Sequence, residues 1–569
     1  MKRWSIISCA LLSATLAARP AIAVEYQFSV PTGDRESRAF LWIPPTCQHV
    51  RALLIADQVI LEDQVCADPL IRQACTQEDM GIVILYRSPA GSMENYHRLD
   101  LPRAKVVDQI RKLATQSGIE VDIQPPSTAP AAKKPSSSDV VLQNILDQLA
   151  EQSGYAEVAT APLLSLGHSG GAIFAWNVAY CWPERILGVI GLHSAVIFPP
   201  PWDPQATPAG FPALCISGEY ESWTGPTVPL DNHWRWLRGG VLDMRGHYDS
   251  QACELVQPGC THFNWDQPLA RYTAMFIQKA ARYRISQAGS KQSALQALPL
   301  NSGWLTDIEL LSPSRYSPAP YADFKNDPAL GFWHMDQELA ETAEHFTQNY
   351  GGKTDQRVTF VQDGKPLPAS WIEPVRFQPQ EDGITIRVSA AFLDQTPPGV
   401  AGAGRPLGHA DEPIKFRLIG GWGGGGEQDG PDTFRIVYDH FGPTDNIQIM
   451  AYADGNATYK HAEQPCQIKY PAANRMGKPQ TIDFPSIPNI RVDQTTIPLS
   501  ATATSGLPVR YYIRQGPARV DGDVLRIDTL PPRAKCPVTV EVVAYQWGRS
   551  IAPLVQTAEP VERSFSIDR

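Results

Sequence analysis

Short, mostly apolar runs mark the first half of the chain at 52–56, 82–86, 162–166, 186–192 and 213–217, the first of them apolar throughout. A strand hidden on both faces reads this way, because neither set of alternate side chains meets water. Two leading strands precede them: one alternates polar and apolar residues over 25–30, and the other is the run 39–43. A shorter segment at 253–256 completes a set of eight. Between these runs, apolar residues recur at three and four positions over 69–75, 105–114, 140–152 and 269–284, which predicts helices. Strand and helix in alternation predict an α/β fold, a mostly parallel sheet with helices on both faces.

The period changes after about residue 300. A helix over 336–349 is the last strong helical pattern, and short alternating segments such as 384–389 and 447–452 follow, separated by Pro, Gly and Asp. This predicts all-β sandwich architecture. The expected organisation is a catalytic domain over 24–290, a β-rich region with one helix over 300–478, and a final β-sandwich over 479–569. Residues 124–138, rich in Pro, Ser, Ala and Lys, cannot bury a core and are expected to form a mobile surface insertion in the first domain.

The chain opens Met1-Lys2-Arg3, continues through an apolar segment from Ile6 to Ala17, and reaches Ala21-Ile22-Ala23. A basic start, a short apolar core and a small-x-small end predict a signal peptide over 1–23 and a secreted or periplasmic protein. No later run is long and apolar enough to span a bilayer. A length of 569 residues requires several domains, and a net charge of −10 argues against nucleic acid as a partner. Loss of Cys9 with the leader leaves an odd number of cysteines. Cys66 with Cys75, and Cys253 with Cys260, are near enough in sequence to form local staples, whereas Cys181 and Cys215 read as buried thiols.

The chemistry centres on Gly167-His168-Ser169-Gly170-Gly171, between the apolar run ending at Leu166 and the helical segment beginning at Ala172. Strand, Gly-x-Ser-x-Gly and helix form a nucleophile elbow, in which glycines let the backbone turn tightly enough to expose the serine hydroxyl. With its parallel-sheet rhythm, the chain from 24 to 287 resembles the α/β-hydrolase superfamily. Its export signal, elbow and appended β modules are similar to secreted carbohydrate esterases and polyhydroxybutyrate-depolymerase-like esterases. The resemblance implies a triad in the order serine, acid, histidine. Ser169 is then the nucleophile, and His262, between the eighth strand and the last helix, is the base. The acid follows the seventh strand in Gly218-Glu219-Tyr220-Glu221, where Glu221 is expected and Glu219 is the runner-up. The oxyanion donors implied are the main-chain N–H of Gly170 and one from the loop after the third strand, at Gln58 or Val59.

Trp202, Trp223, Trp234, Trp236 and Trp265 gather around these positions in sequence. Trp223 and Trp265, with His168 inside the elbow, are expected to contact substrate, since indole rings stack on sugars and aromatic groups. His233 and His247 read as loop residues, and His193 ends the sixth strand. The run Gly420 to Gly426, with Trp422 inside it, lacks the Lys-Ser/Thr of a phosphate loop and reads as an inter-strand loop. His409, Asp411 and Glu412 read as turn residues, and neither metal nor cofactor is expected. The segment Ala503-Thr504-Ser505-Gly506-Leu507-Pro508-Val509, followed by a strand at 510–513, resembles bacterial immunoglobulin-like modules. The expected function is hydrolysis of carboxylic esters, with acyl groups on polysaccharide as the favoured substrate. A peptidase of the same fold and a non-catalytic adhesion or binding protein are the alternatives.

Overall fold

The computed structural model describes residues 26–34, 36–91, 138–199, 205–221, 233–286, 295–308, 314–348, 352–398, 402–420 and 425–569. The expected leader over 1–23, the helix over 105–114 and nearly all of the 124–138 insertion lie outside them, as do Trp202 and Trp223.

Eight strands form one sheet: β1 (Phe28–Pro31), β2 (Arg38–Trp42), β3 (Ala52–Asp57), β4 (Met80–Tyr86), β5 (Leu163–His168), β6 (Ile186–Leu192), β7 (Pro212–Gly218) and β8 (Gln251–Gln257). Their spatial order is β1-β2-β4-β3-β5-β6-β7-β8. β2 pairs antiparallel with both neighbours, and every pairing from β4 through β8 is parallel. This is the order and polarity of the α/β-hydrolase fold. β4 through β8 are buried at every position. Each Leu, Ile or Val so enclosed contributes roughly 1.5–3 kcal/mol.

The helices are α1 (Glu62–Ala67), α2 (Pro69–Gln77), α3 (Ser138–Ser153), α4 (Gly171–Cys181), α5 (His233–Tyr248) and α6 (Gln267–Arg284). α2 and α6 start alike, each with an Asp cap and an early proline: Asp68 accepts from the N–H of Leu70, and Asp266 from that of Leu269. α5 corrects the loop reading of His233 and His247. Its glycines at 239 and 240 and its many charges mask the helical period, but β7 and β8 lie parallel and need a crossover. The expected local disulfides are also corrected: Cys66, Cys75, Cys253 and Cys260 are all buried free thiols, and burial pushes those of Cys75 and Cys253 up to about 12.

The buried core does not stop at residue 300. Leu305, Phe332, Trp333, Met335 and Leu339 join the hydrolase core from a three-stranded sheet and from the helix Gln337–Gln348. Beyond that helix the chain is built of small sheets. One contains Glu373–Arg376, Ala462–Lys469, Asn446–Ala453 and Lys415–Leu418. The last segment holds a four-stranded sheet, including Val538–Tyr545 and Val561–Asp568, beside a three-stranded one.

Both β regions pack on the hydrolase fold. From the C-terminal segment, Gln515 accepts from Ser29 Oγ at 2.6 Å and from Arg38 Nη2 at 2.5 Å. From the middle region, Phe441 stacks on Tyr86 at 4.2 Å, and Lys460 Nζ reaches Glu219 at 2.6 Å. Gly259 shows how tight the second contact is: its φ is +77°, and a Cβ there would lie 2.0 Å from the carbonyl oxygen of His461. Gly259→Ala adds backbone strain of about 1–3 kcal/mol to an overpacking cost of similar size. We expect equilibrium denaturant unfolding to show a loss of at least about 2 kcal/mol, and an unchanged midpoint would refute the close packing.

Candidate active site

The site lies at the C-terminal edge of the parallel sheet, where loops after β5, β6, β7 and β8 converge. Ser169 follows β5 directly and has a φ of +52°, a left-handed value that costs a side-chain-bearing residue energy. The turn is held by contacts that only glycine permits. A Cβ on Gly167 would lie 2.1 Å from the carbonyl oxygen of Gly171, and one on Gly171 would lie 2.3 Å from Glu62 Oε1. Gly170 faces open space and is exposed. Ser169 itself is half-buried, and its N–H donates to Leu192 O on β6 at 2.9 Å.

Glu62 lies buried beneath the elbow. One of its oxygens accepts the N–H of His168 at 2.7 Å, and the other accepts those of Val59 and Ile60 at 2.9 and 2.8 Å. Burial raises its pKa to about 7 against the pull of those N–H donors. The carboxyl therefore joins the elbow to the loop after β3. This corrects the oxyanion expectation for that loop: the N–H of Gln58 donates to Leu85 O at 2.8 Å, and the N–H of Val59 is taken by Glu62. The Gln58 side chain turns inward as well, donating to Ile60 O and accepting from the N–H of Asp63.

The two competing carboxylates face opposite ways. Glu219 points toward the middle region, accepting from Lys460 Nζ at 2.6 Å and from the N–H of Gly259 at 2.9 Å. Glu221 points into the sheet edge, where Oε1 meets His193 Nδ1 at 2.5 Å and the Gly218 N–H at 2.6 Å. Its Oε2 lies 3.4 Å from His262 Nδ1. Glu221, His193 and His262 are all buried.

Three histidines thus surround one carboxylate, and their bonds distinguish them. His193, also left-handed at φ +47°, is held at both ring nitrogens, because Nε2 contacts Asn264 O at 3.0 Å. His168 bonds through Nε2 to the carbonyl oxygen of His262 at 2.8 Å. Burial, with His262 and His193 nearby, pushes its pKa well below the usual histidine range and leaves it neutral. His262 meets Glu221 through Nδ1, the nitrogen that a carboxylate orients in a serine triad.

Two expected substrate contacts are corrected. His168 is wholly buried and braces the His262 main chain. Trp265 is also buried, and its Nε1 donates to Asp68 at 3.0 Å, tying the start of α6 to α2. Trp234 is buried in α5 under Arg235 and Arg238. Among the described residues, an indole does lie beside His262: Trp371 of the middle region, whose ring is 5.5 Å from that of His262 and 5.2 Å from that of Phe263.

Glu463, from the same region, accepts the N–H of Thr261 at 2.9 Å, next to His262. Its pKa is held at about 2: burial would raise it, but Arg417 and His461 outweigh that effect. Arg417 Nη2 contacts Glu463 at 2.5 Å and Asn264 Oδ1 at the same distance, so one ion pair grips both sides of His262. Cys260, His461 and Glu463 place ligand-type atoms within 4.8 Å of one another. The guanidinium already balances that carboxylate, and we assign no metal.

No sequence signal marks Glu62, Trp371 or Glu463. His193 was detectable as a histidine ending the strand beside the elbow.

No family model and no curated protein matches this chain. Among solved structures, it is similar to the siderophore hydrolase EstA of Aspergillus nidulans, with 12% identity, 49% of this chain and 99% of that one covered, and a TM-score of 0.28. A dienelactone hydrolase of Anabaena variabilis aligns at 16% identity over 45% of this chain and 95% of its own, with a TM-score of 0.26. Part of mouse cadherin-23 aligns at 12% identity over 38% of this chain and 67% of its own, with a TM-score of 0.14.

The raised pKa of Glu62 predicts a pH effect. A carboxyl that holds its proton more tightly when folded stabilises the fold below its unfolded pKa, and this gain is lost as pH rises from about 4.5 toward 7. Glu62→Gln removes the titration. Over that window the wild type should therefore lose about 3 kcal/mol relative to the variant in denaturant unfolding, and parallel curves would contradict it.

Proposed function

We propose that this chain is a serine hydrolase of carboxylic esters. The observation that carries the reading is the left-handed Ser169 on a glycine-locked strand-to-helix corner, at the sheet edge where Glu221 meets His262. In the reaction, His262 takes the Ser169 proton as Oγ bonds to the ester carbonyl carbon. The oxyanion formed is held by the N–H of Gly170, which has no protein acceptor among the described residues. His262 passes its proton to the alcohol oxygen as the C–O bond breaks. It then deprotonates a water whose oxygen bonds to the acyl carbon, and it returns that proton to Ser169 Oγ as the acyl C–Oγ bond breaks and the acid leaves. Glu221 keeps Nδ1 protonated and stabilises the imidazolium.

We further propose that the enzyme is exported on its 1–23 leader and removes acyl groups from polysaccharide. The final module would serve as an immunoglobulin-like spacer or packing domain. The leader's charge and apolar pattern support export. No described helix is long and apolar enough to cross a membrane.

A fluorophosphonate probe should label Ser169 in the full chain, and Ser169→Ala should remove labelling and lower p-nitrophenyl acetate hydrolysis by roughly 10⁴-fold or more. Unchanged hydrolysis in Ser169→Ala would remove Ser169 as the nucleophile, a wild type that neither takes the probe nor cleaves the ester would be a non-catalytic module, and hydrolysis of peptides in preference to esters would make the chain a peptidase. Glu221→Gln should lower kcat by about 10²–10⁴-fold, against less than about tenfold for Glu219→Gln. The opposite ranking would exchange their roles.

A further inference from the structure

Trp371 has no part in the triad, yet it belongs to the same cluster. It lies outside the hydrolase sheet, just before the strand Glu373–Arg376 of the middle region. Its indole is half-buried, so part of it remains open to solvent. It meets His262 at a centroid distance of 5.5 Å with a 50° interplanar angle, and Phe263 at 5.2 Å and 48°. His262 and Phe263 meet each other edge-on at 87°, which makes a three-ring wall.

The position of this wall decides what it can recognise. In the reaction proposed above, on which this inference rests, the proton leaves His262 for the alcohol oxygen. The alcohol half of the ester must therefore lie against the His262 edge, and the acyl half toward Gly170. A group that borders His262 faces the alcohol half. The His262 side of the wall is held by the region that carries Trp371, because Glu463 and Arg417 bind Thr261 and Asn264 on either side of His262.

We infer that Trp371 is a specificity-determining residue that stacks on the face of a six-membered ring in the alcohol part of the ester. Two kinds of alcohol supply such a ring, a pyranose presenting its C–H face and an aryl alcohol. Both offer the same shared chemistry to an indole face.

The test compares kcat/KM of the full chain, Trp371→Ala and Trp371→Phe on acetate esters that share one acyl group: a mono-acetylated methyl pyranoside, phenyl acetate and ethyl acetate. Trp371→Ala should lose about 10–100-fold on at least one ring alcohol, mostly in KM, and less than about threefold on ethyl acetate, with Trp371→Phe in between. Whichever ring alcohol loses more identifies the source. An equal loss on all three esters would make Trp371 a support for His262, and no loss would remove it from the site; either overturns the inference. Failure of the underlying hydrolase reading looks different, since the wild type would then neither take the fluorophosphonate at Ser169 nor cleave any of the three esters.

Discussion

The site depends on a carboxyl buried where the chain crosses over itself. Glu62 accepts three main-chain N–H groups, one from the elbow and two from the loop after β3. An ionisable group so enclosed is costly unless its hydrogen bonds are made, and these three make them. The requirement is mutual. The missing Cβ of Gly171 leaves the space that Oε1 fills, and the same glycine-rich corner pushes Ser169 into its left-handed backbone. Serine exposure, elbow geometry and the path of the β3 loop are therefore one constraint.

The hydrolase core was legible because it follows local rules. Mostly apolar runs became β3 through β8 within a residue or two, since a strand buried on both faces is predominantly apolar. The elbow was legible because a strained serine needs glycines nearby in sequence. α5 was hidden by Gly239, Gly240 and its charges, although the parallel pairing of β7 with β8 demands a crossover. Cysteine proximity misled for a simple reason: Cys66 and Cys75 each end up buried as thiols within the hydrolase core, and closeness along the chain says nothing of Sγ direction. The indoles misled in the same way. Trp265 is three residues from His262, but the helix cap at Asp266 turns it toward Asp68. Trp371, more than a hundred residues farther along, arrives by domain packing, which leaves no periodic or motif-like trace.

That packing gives the β regions more than a spacer's place. Glu219 and Glu221 are neighbours in one loop with opposite duties. Glu219 binds Lys460 and secures the middle region, while Glu221 serves the histidines. Thr261 and Asn264 bracket His262 and are both held by the Glu463–Arg417 pair. A hydrolase sheet cut free at residue 290 would keep its elbow and lose the groups that hold its histidine loop.

The same logic explains why three histidines meet a single carboxylate. A base must have one nitrogen committed to an orienting acceptor and the other available to the serine. His193 has both nitrogens against oxygens, and His168 rests its Nε2 on a carbonyl, which cannot balance an imidazolium as a carboxylate does, while burial pushes its affinity for a proton well below the usual histidine range, so neither fits the base of the proposed reaction. Their bonds instead hold the third ring. His193 meets Glu221 and the carbonyl of Asn264, and His168 meets the main-chain carbonyl of His262, so both rings hold the loop that carries His262.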